Sequence, residues 1–186
     1  LTPQILDKKL WQTSGHWEKY NENIFLTEYD KRTFAVKPMN CPGGMLVFKN
    51  KPKSYKELPL KVAELGVVHR QELSGVLGGL FRVVQFTQDD AHIFCTEKQL
   101  EDEIEGIINL INFFYDKFKL PIEHVELSTR PEKRIGSDAI WNKAEKILEN
   151  VLKKKKMKYQ INKGDGAFYG PKIDFHIKDS LGRTWQ

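Results

Sequence analysis

Within FTQDDAHIFC, residues 86–95, an aromatic, an amide, a carboxylate and an imidazole recur at every second position: Phe86, Gln88, Asp90 and His92. Side chains on a β-strand alternate faces, so counting by twos through 82–94 gathers Arg82, Val84, Phe86, Gln88, Asp90, His92 and Phe94 on one face. Val83, Ala91, Ile93 and Cys95 fall on the other. A buried carboxylate or imidazole needs a compensating partner. Asp90 and His92 together suit metal ligation, orientation of a ligand, or a substrate hydroxyl; taken alone, His92 also fits a hydrogen-bonded core histidine. Parity makes the adjacent pair in HIFC a poor chelate and assigns Cys95 to the core. Cys41, in PMNCPGG, follows a predicted strand and precedes a turn, which frees its thiolate to project into a site. Thiolate, imidazole and a further nitrogen ligand fit a zinc ion that keeps an open position.

The same counting in VVHRQEL puts Arg70 and Glu72 on one face and His69 and Gln71 on the other. If this strand and the one from Leu80 form a hairpin around SGVLGGL, Arg70 and Arg82 approach each other across it. Two guanidiniums with few nearby acids suit a phosphate-bearing ligand, because Arg binds phosphate through a bidentate fork. The alternative is two surface arginines on an exposed face. Phe86 offers that face a ring to stack on a nucleobase, or packs as core.

These groups need a scaffold, and the rest of the sequence supplies one. In TEKQLEDEIEGIINLINFFYDKF, Thr96 and Gln99 have capping-box spacing, and Leu100, Ile104, Ile107, Ile108, Ile111, Phe114 and Phe118 share a face, predicting a helix over about 97–118. In GSDAIWNKAEKILENVLKKKK, Ser137 is the predicted N-cap, Ile140, Trp141, Ala144, Ile147, Leu148 and Val151 form the stripe, and Lys153–Lys156 sit at the negative helix end as a solvated turn. HVELSTR and KYQIN read as strands, and KIDFHIKDSLGRTWQ as a hairpin turning near Asp179–Gly182. RTFAVKPMNC, ELGVVHRQEL and LFRVVQFTQDDAHIF add further strands. Short turns between several of these predict an α+β fold, an antiparallel sheet with helices segregated to one side.

With 186 residues, 40% hydrophobic and 30% charged, the chain has the composition of a soluble globular protein forming one domain or part of one. No apolar run reaches the roughly 20 residues of a membrane helix. The net charge of +5 is compatible with a polyanionic partner without having the density of a nucleic-acid arm. Two cysteines exclude a disulfide framework and a four-cysteine zinc site; a single disulfide between them is the alternative to a reducing compartment, and the expected location is cytoplasmic, with an organelle as the alternative. LTPQILDKKL has no signal-peptide pattern and reads as the interior of a longer polypeptide.

Taken together, LWQTSGHWEKY, KPMNCPGG, VVHRQELSG, FTQDDAHIFC, LSTRPEKRIGSD and GAFYGPKIDF closely resemble, in register, the catalytic domain of threonyl-tRNA synthetases, a family of class II aminoacyl-tRNA synthetases. The resemblance implies a class II antiparallel sheet flanked by helices, and activation of threonine with ATP to threonyl-adenylate followed by transfer to tRNA(Thr). It further implies that Arg70 binds the α-phosphate and the amino-acid carboxylate, that Glu72 reads adenine, that Arg82 meets the γ-phosphate, and that Phe86 stacks on adenine. Cys41 and His92 match two of three zinc ligands, with the third beyond Gln186. Asp90 matches the aspartate on the threonine hydroxyl, Gln88, Tyr169 and Met39 line the amino-acid pocket, and Lys172 contacts the adenylate. Mg²⁺ accompanies ATP.

Gly44, Gly78 and Val84 depart from the family, which usually carries His, a polar or His residue, and Arg at those positions. Only the tail of motif 1, with Pro3 matching its proline, lies within the 186 residues, and motif 3, the editing domain and the anticodon-binding domain do not. The resemblance therefore implies one partial catalytic domain over 1–186, inactive by itself, and a homodimer through motif 1 in the intact protein. The departures leave open a catalytically inert, synthetase-like module that binds RNA or protein.

Overall fold

Asp7 ends β1 (Ile5–Asp7) and caps α1 (Lys8–Thr13), its carboxylate accepting from the Lys9 amide at 2.9 Å. Gly15, at φ 78°, then turns the chain into α2 (His16–Lys19). β2 (Leu26–Tyr29) and β3 (Arg32–Val36) follow, and β3 lies between β1 and β2 in a three-stranded antiparallel sheet. Trp11, Ile24 and Ala35 form the buried cluster of this part, with Leu6, Trp17, Tyr20 and Met39 packed against it. After α3 (Cys41–Lys49), the long strands β4 (Leu60–His69) and β5 (Gln85–Phe94) pair antiparallel, from Leu60 opposite Phe94 to His69 opposite Gln85. The Phe48 and Phe94 rings stack at 3.9 Å and hold α3 on β5, while the His69 amide donates to Lys37 O at 2.9 Å and ties β4 to the end of β3.

The computed structural model describes all of residues 1–186, in two units, Leu1–Cys95 and Thr96–Gln186. The second begins with the predicted capping box, the Thr96 amide donating to Gln99 Oε1 at 2.9 Å, and leads into α4 (Leu100–Phe118). β6 (Ile122–Ser128), α5 (Asp138–Lys154), β7 (Gln160–Asn162), β8 (Lys172–Lys178) and β9 (Thr184–Trp185) complete it. The sheet order is β7-β6-β8-β9. Ile108, Val125, Leu127, Val151 and Leu152 are its buried core, flanked by Ile104, Leu148, Ile173 and Phe175, so the two helices cover one face of the sheet. No helix is long and apolar enough to cross a membrane.

The α+β class holds, and the antiparallel expectation holds everywhere except β6 with β7, which run parallel. The connection between them contains α5, and a helical crossover returns a strand parallel to the one it left. Three local expectations fail. β5 begins at Gln85 rather than near Leu80, because Gly78 and Gly79, the latter at φ 54°, close a small turn in which the Phe81 and Arg82 amides donate to Gly78 O. Cys41 opens a helix instead of preceding a turn; Pro42 is tolerated in a first turn, where its missing donor is not needed. Along α4, Ile107, Phe114 and Phe118 remain exposed although they lie on the predicted apolar face. Helical periodicity defines a direction, not how far the partner surface extends.

Candidate active site

The alternation read from the sequence is present along β5, where Phe86, Gln88, Asp90 and His92 are half-buried while Thr87, Asp89 and Ala91 between them are exposed. Cys41, in the first turn of α3, brings its thiol to the same place: the ligating atoms of Cys41, Asp90 and His92 all lie within 4.8 Å of one another. Burial pushes the Cys41 thiol pKa up, and the neighbouring Asp90 carboxylate pushes the same way. Thiolate and imidazole donors with a nearby carboxylate are a set that zinc accepts, so the residues fit the expected ion. Cys95 is half-buried at the end of β5, belongs to neither core cluster, and is not disulfide-bonded to Cys41.

Asp90 is aimed by a residue that sequence reading missed. Fully buried Asn40 donates from Nδ2 to Asp90 Oδ2 at 3.1 Å, and Asn40 Oδ1 has no hydrogen-bonding partner within the protein. Gly66 makes this approach possible, since a Cβ there would overlap the Asn40 amide group. Gly66 lies directly opposite Gln88 in the ladder, so a missing side chain on β4 makes room beneath the polar face of β5. Glycine within a strand often marks such a close approach, the one signal that was available in the sequence. Gly44 also faces His92, but a Cβ there would sit 3.4 Å from His92 Nδ1, an ordinary contact, so this approach does not depend on the glycine. A second buried group gathers at Thr2, whose amide donates to Glu64 Oε2 at 2.9 Å and whose hydroxyl receives the buried Lys37 ammonium at 2.8 Å.

The nucleotide-type residues form two pairs. Arg70, just past β4, donates from Nε to Pro38 O at 3.2 Å and lies 5.1 Å over the Phe86 ring. Arg82 does not pair with Arg70 in a free cationic cluster; it donates from Nη2 and Nε to Glu72 Oε2 at 2.9 and 3.1 Å. The expectation of few nearby acids was therefore wrong, because the loop turn at Gly78 delivers Arg82 to Glu72. Met39 packs against the Trp11 cluster. Tyr169 and Lys172 lie in the second unit. Tyr169 is exposed and meets Phe168 edge-on at 5.0 Å. Lys172 is held by Asp165 at 3.1 Å and Asp174 at 3.2 Å; burial alone would lower its pKa, but these carboxylates raise it on balance.

The β4–β5 hairpin thus gathers an arginine, an aromatic ring and a group of side chains that could hold a metal ion. Residues 25–186 match the family model described as the tRNA synthetase class II core domain (G, H, P, S and T), and the chain belongs to that family. Among its relatives, the threonine–tRNA ligase of Acetivibrio thermocellus is 62% identical over 185 residues, which cover 100% of this chain and 29% of that relative. A solved structure described as the RNA binding domain of threonyl-tRNA synthetase from Cryptosporidium parvum Iowa II superposes with a TM-score of 0.96 at 43% identity, over 100% of this chain and 46% of the other. A putative threonyl-tRNA synthetase from Aeropyrum pernix gives 0.88 at 36% identity, over 100% of this chain and 44% of the other. Within the class, the relatives and solved structures that resemble the chain at 36–62% identity are threonine–tRNA ligases, and the chain spans under a third of the length of the curated relatives it matches.

Proposed function

We propose that this chain is the catalytic-core segment of a threonine–tRNA ligase, which joins threonine to the α-phosphate of ATP, releases pyrophosphate, and passes the threonyl group from the adenylate to tRNA(Thr). The observation that carries this reading is the convergence of Cys41, Asp90 and His92 beside an Arg70–Phe86 pair on one strand face. Cys41 and His92 would hold a zinc ion with a third ligand outside these 186 residues, and that ion would supply Lewis-acid recognition of threonine. Asp90, fixed by Asn40, accepts a hydrogen bond from the hydroxyl. Valine has threonine's shape but no hydroxyl, so it leaves these groups unpaired, whereas an apolar pocket alone would discriminate poorly.

Arg70 grips the amino-acid carboxylate and the α-phosphate, orienting one for in-line attack on the other; positioning and charge stabilisation suffice without a general base. Phe86 stacks on adenine. Glu72 and Arg82 separate to take adenine and γ-phosphate, exchanging their ion pair for ligand contacts. Gln88 and Met39 line the amino-acid pocket, and Mg²⁺ accompanies ATP. The intact protein acts as a homodimer wherever tRNA is charged, in the cytoplasm or an organelle. The 186 residues alone hold two of the three ligands and are expected not to turn over. The test is spectroscopic: the full-length protein loaded with Co²⁺ in place of zinc should change its visible spectrum on adding threonine. No change with threonine, alongside retained tRNA binding, would favour the inert binding module.

A further inference from the structure

A second group of ligating side chains lies in the second unit, on the sheet face opposite the Ile108 core. β6 and β8 are antiparallel with His124 directly opposite His176, and Glu126 follows His124 by two residues, so all three side chains share a face. The two imidazole rings stack at 4.2 Å, only 9° from parallel. Glu126 spans them, Oε1 lying 3.5 Å from His124 Nε2 and Oε2 lying 3.7 Å from His176 Nε2. Both separations exceed ordinary hydrogen-bonding distance. His176 Nε2 is buried with no hydrogen-bonding partner, which is a costly state for a polar atom aimed at a carboxylate.

We propose that His124, Glu126 and His176 form a second transition-metal site, taking a divalent ion of the Zn²⁺, Ni²⁺ or Co²⁺ kind and fastening β6 to β8. Each residue offers one ligating atom, and these atoms lie within 4.8 Å of one another. An ion about 2.1 Å from each donor would draw them together to roughly 3–3.5 Å, and the two rings would rotate out of their present stack, 9° from parallel, so that both nitrogen lone pairs converge on it. Two imidazoles and one carboxylate, with no thiolate, suit this class of ion. Two features look built rather than incidental. Asn162 donates from Nδ2 to Glu126 Oε2 at 2.8 Å, the kind of outer contact that orients a carboxylate ligand. A register shift between Ile122 and His124 re-aims the strand where the first imidazole departs from it. The proposal uses none of the residues assigned to threonine or ATP and stands or falls independently of that reading.

The test uses the full-length chain carrying Cys41→Ser, which silences the thiolate centre, stripped with chelator and titrated with Zn²⁺ by calorimetry. One equivalent should bind and raise Tm, and the Co²⁺ form should show ligand-field bands without a thiolate charge-transfer band. His176→Ala should abolish that equivalent, and Asn162→Ala should weaken it by about tenfold. If His176→Ala fails to fold, His124→Phe, which keeps an aromatic ring against His176, serves for the same comparison. No bound equivalent in the Cys41→Ser protein, or an unchanged affinity in the folded histidine variant, would overturn the proposal; the latter would mean adventitious surface binding, and the former a histidine pair bridged only by Glu126.

Discussion

Gly66 fixes how closely Asn40 approaches Asp90, and this is where the threonine hydroxyl would be read. Gly66→Ala should force Asn40 aside at a cost of about 1–3 kcal/mol in denaturant unfolding, as overpacking does, and should release Asp90. The variant should also lose selectivity for threonine over valine; unchanged selectivity would show that Asn40 plays no part in reading the hydroxyl. At the metal, Cys41→Ser should abolish stoichiometric zinc at the first centre while Cys95→Ser leaves it intact, read by metal analysis of chelator-washed protein. Equal loss in both would sink the assignment. Parity made the shared face of Asp90 and His92 legible in the sequence, and the resemblance added their roles; the same counting sent Cys95 to the core, whereas it is half-buried outside both core clusters because the face it was assigned to is the exposed one. The Arg82–Glu72 pair was not legible, because it depends on a turn at Gly78 that strand counting ran straight through. His124 and Glu126 show their shared face in sequence, but His176 joins them only through the register of β8.

At the scale of elements, α4 and α5 were legible because each carries a long apolar stripe with a capping signal at its start. Ser137 accepts from the Ile140 amide at 3.4 Å, so Ser137→Ala should destabilise the second unit by about 1 kcal/mol, less if water replaces so long a bond. Chemical denaturation reads this directly, and a Ser137→Gly control should recover most of the loss. The short helices α1, α2 and α3 were not legible. None is long enough to be stable by propensity, and each exists because its neighbours hold it, as Phe94 holds Phe48 of α3. β7 was found as a strand but its direction was not, since direction follows from the α5 crossover rather than from the three residues of the strand.

The molecule as a whole carries a set of carboxylates that fold into cationic company. Lys153 and Lys146 draw the pKa of Glu149 from its ordinary 4.5 to about 2, and Arg130 lowers that of Glu145. Trp185 and Arg183, with backbone donors, lower that of Asp179. A depressed native pKa means the unfolded chain binds the proton first, so this stabilisation is complete above about 4.5 and is lost as pH falls toward about 2. Melting temperature should therefore decline across that window, and a double Lys146→Gln, Lys153→Gln variant should decline less steeply; parallel curves would contradict the assignment. On the proposed function, one face of β5 distinguishes threonine by its hydroxyl while Arg70 and Phe86 hold ATP. The most direct test is amino-acid-dependent ATP–pyrophosphate exchange by the full-length protein, with threonine and valine compared side by side. Exchange with threonine should exceed that with valine by more than the roughly 100-fold available to an apolar pocket, and that ratio should collapse in Asp90→Ala. Exchange that does not depend on threonine, or that runs equally with valine, would contradict the proposed function.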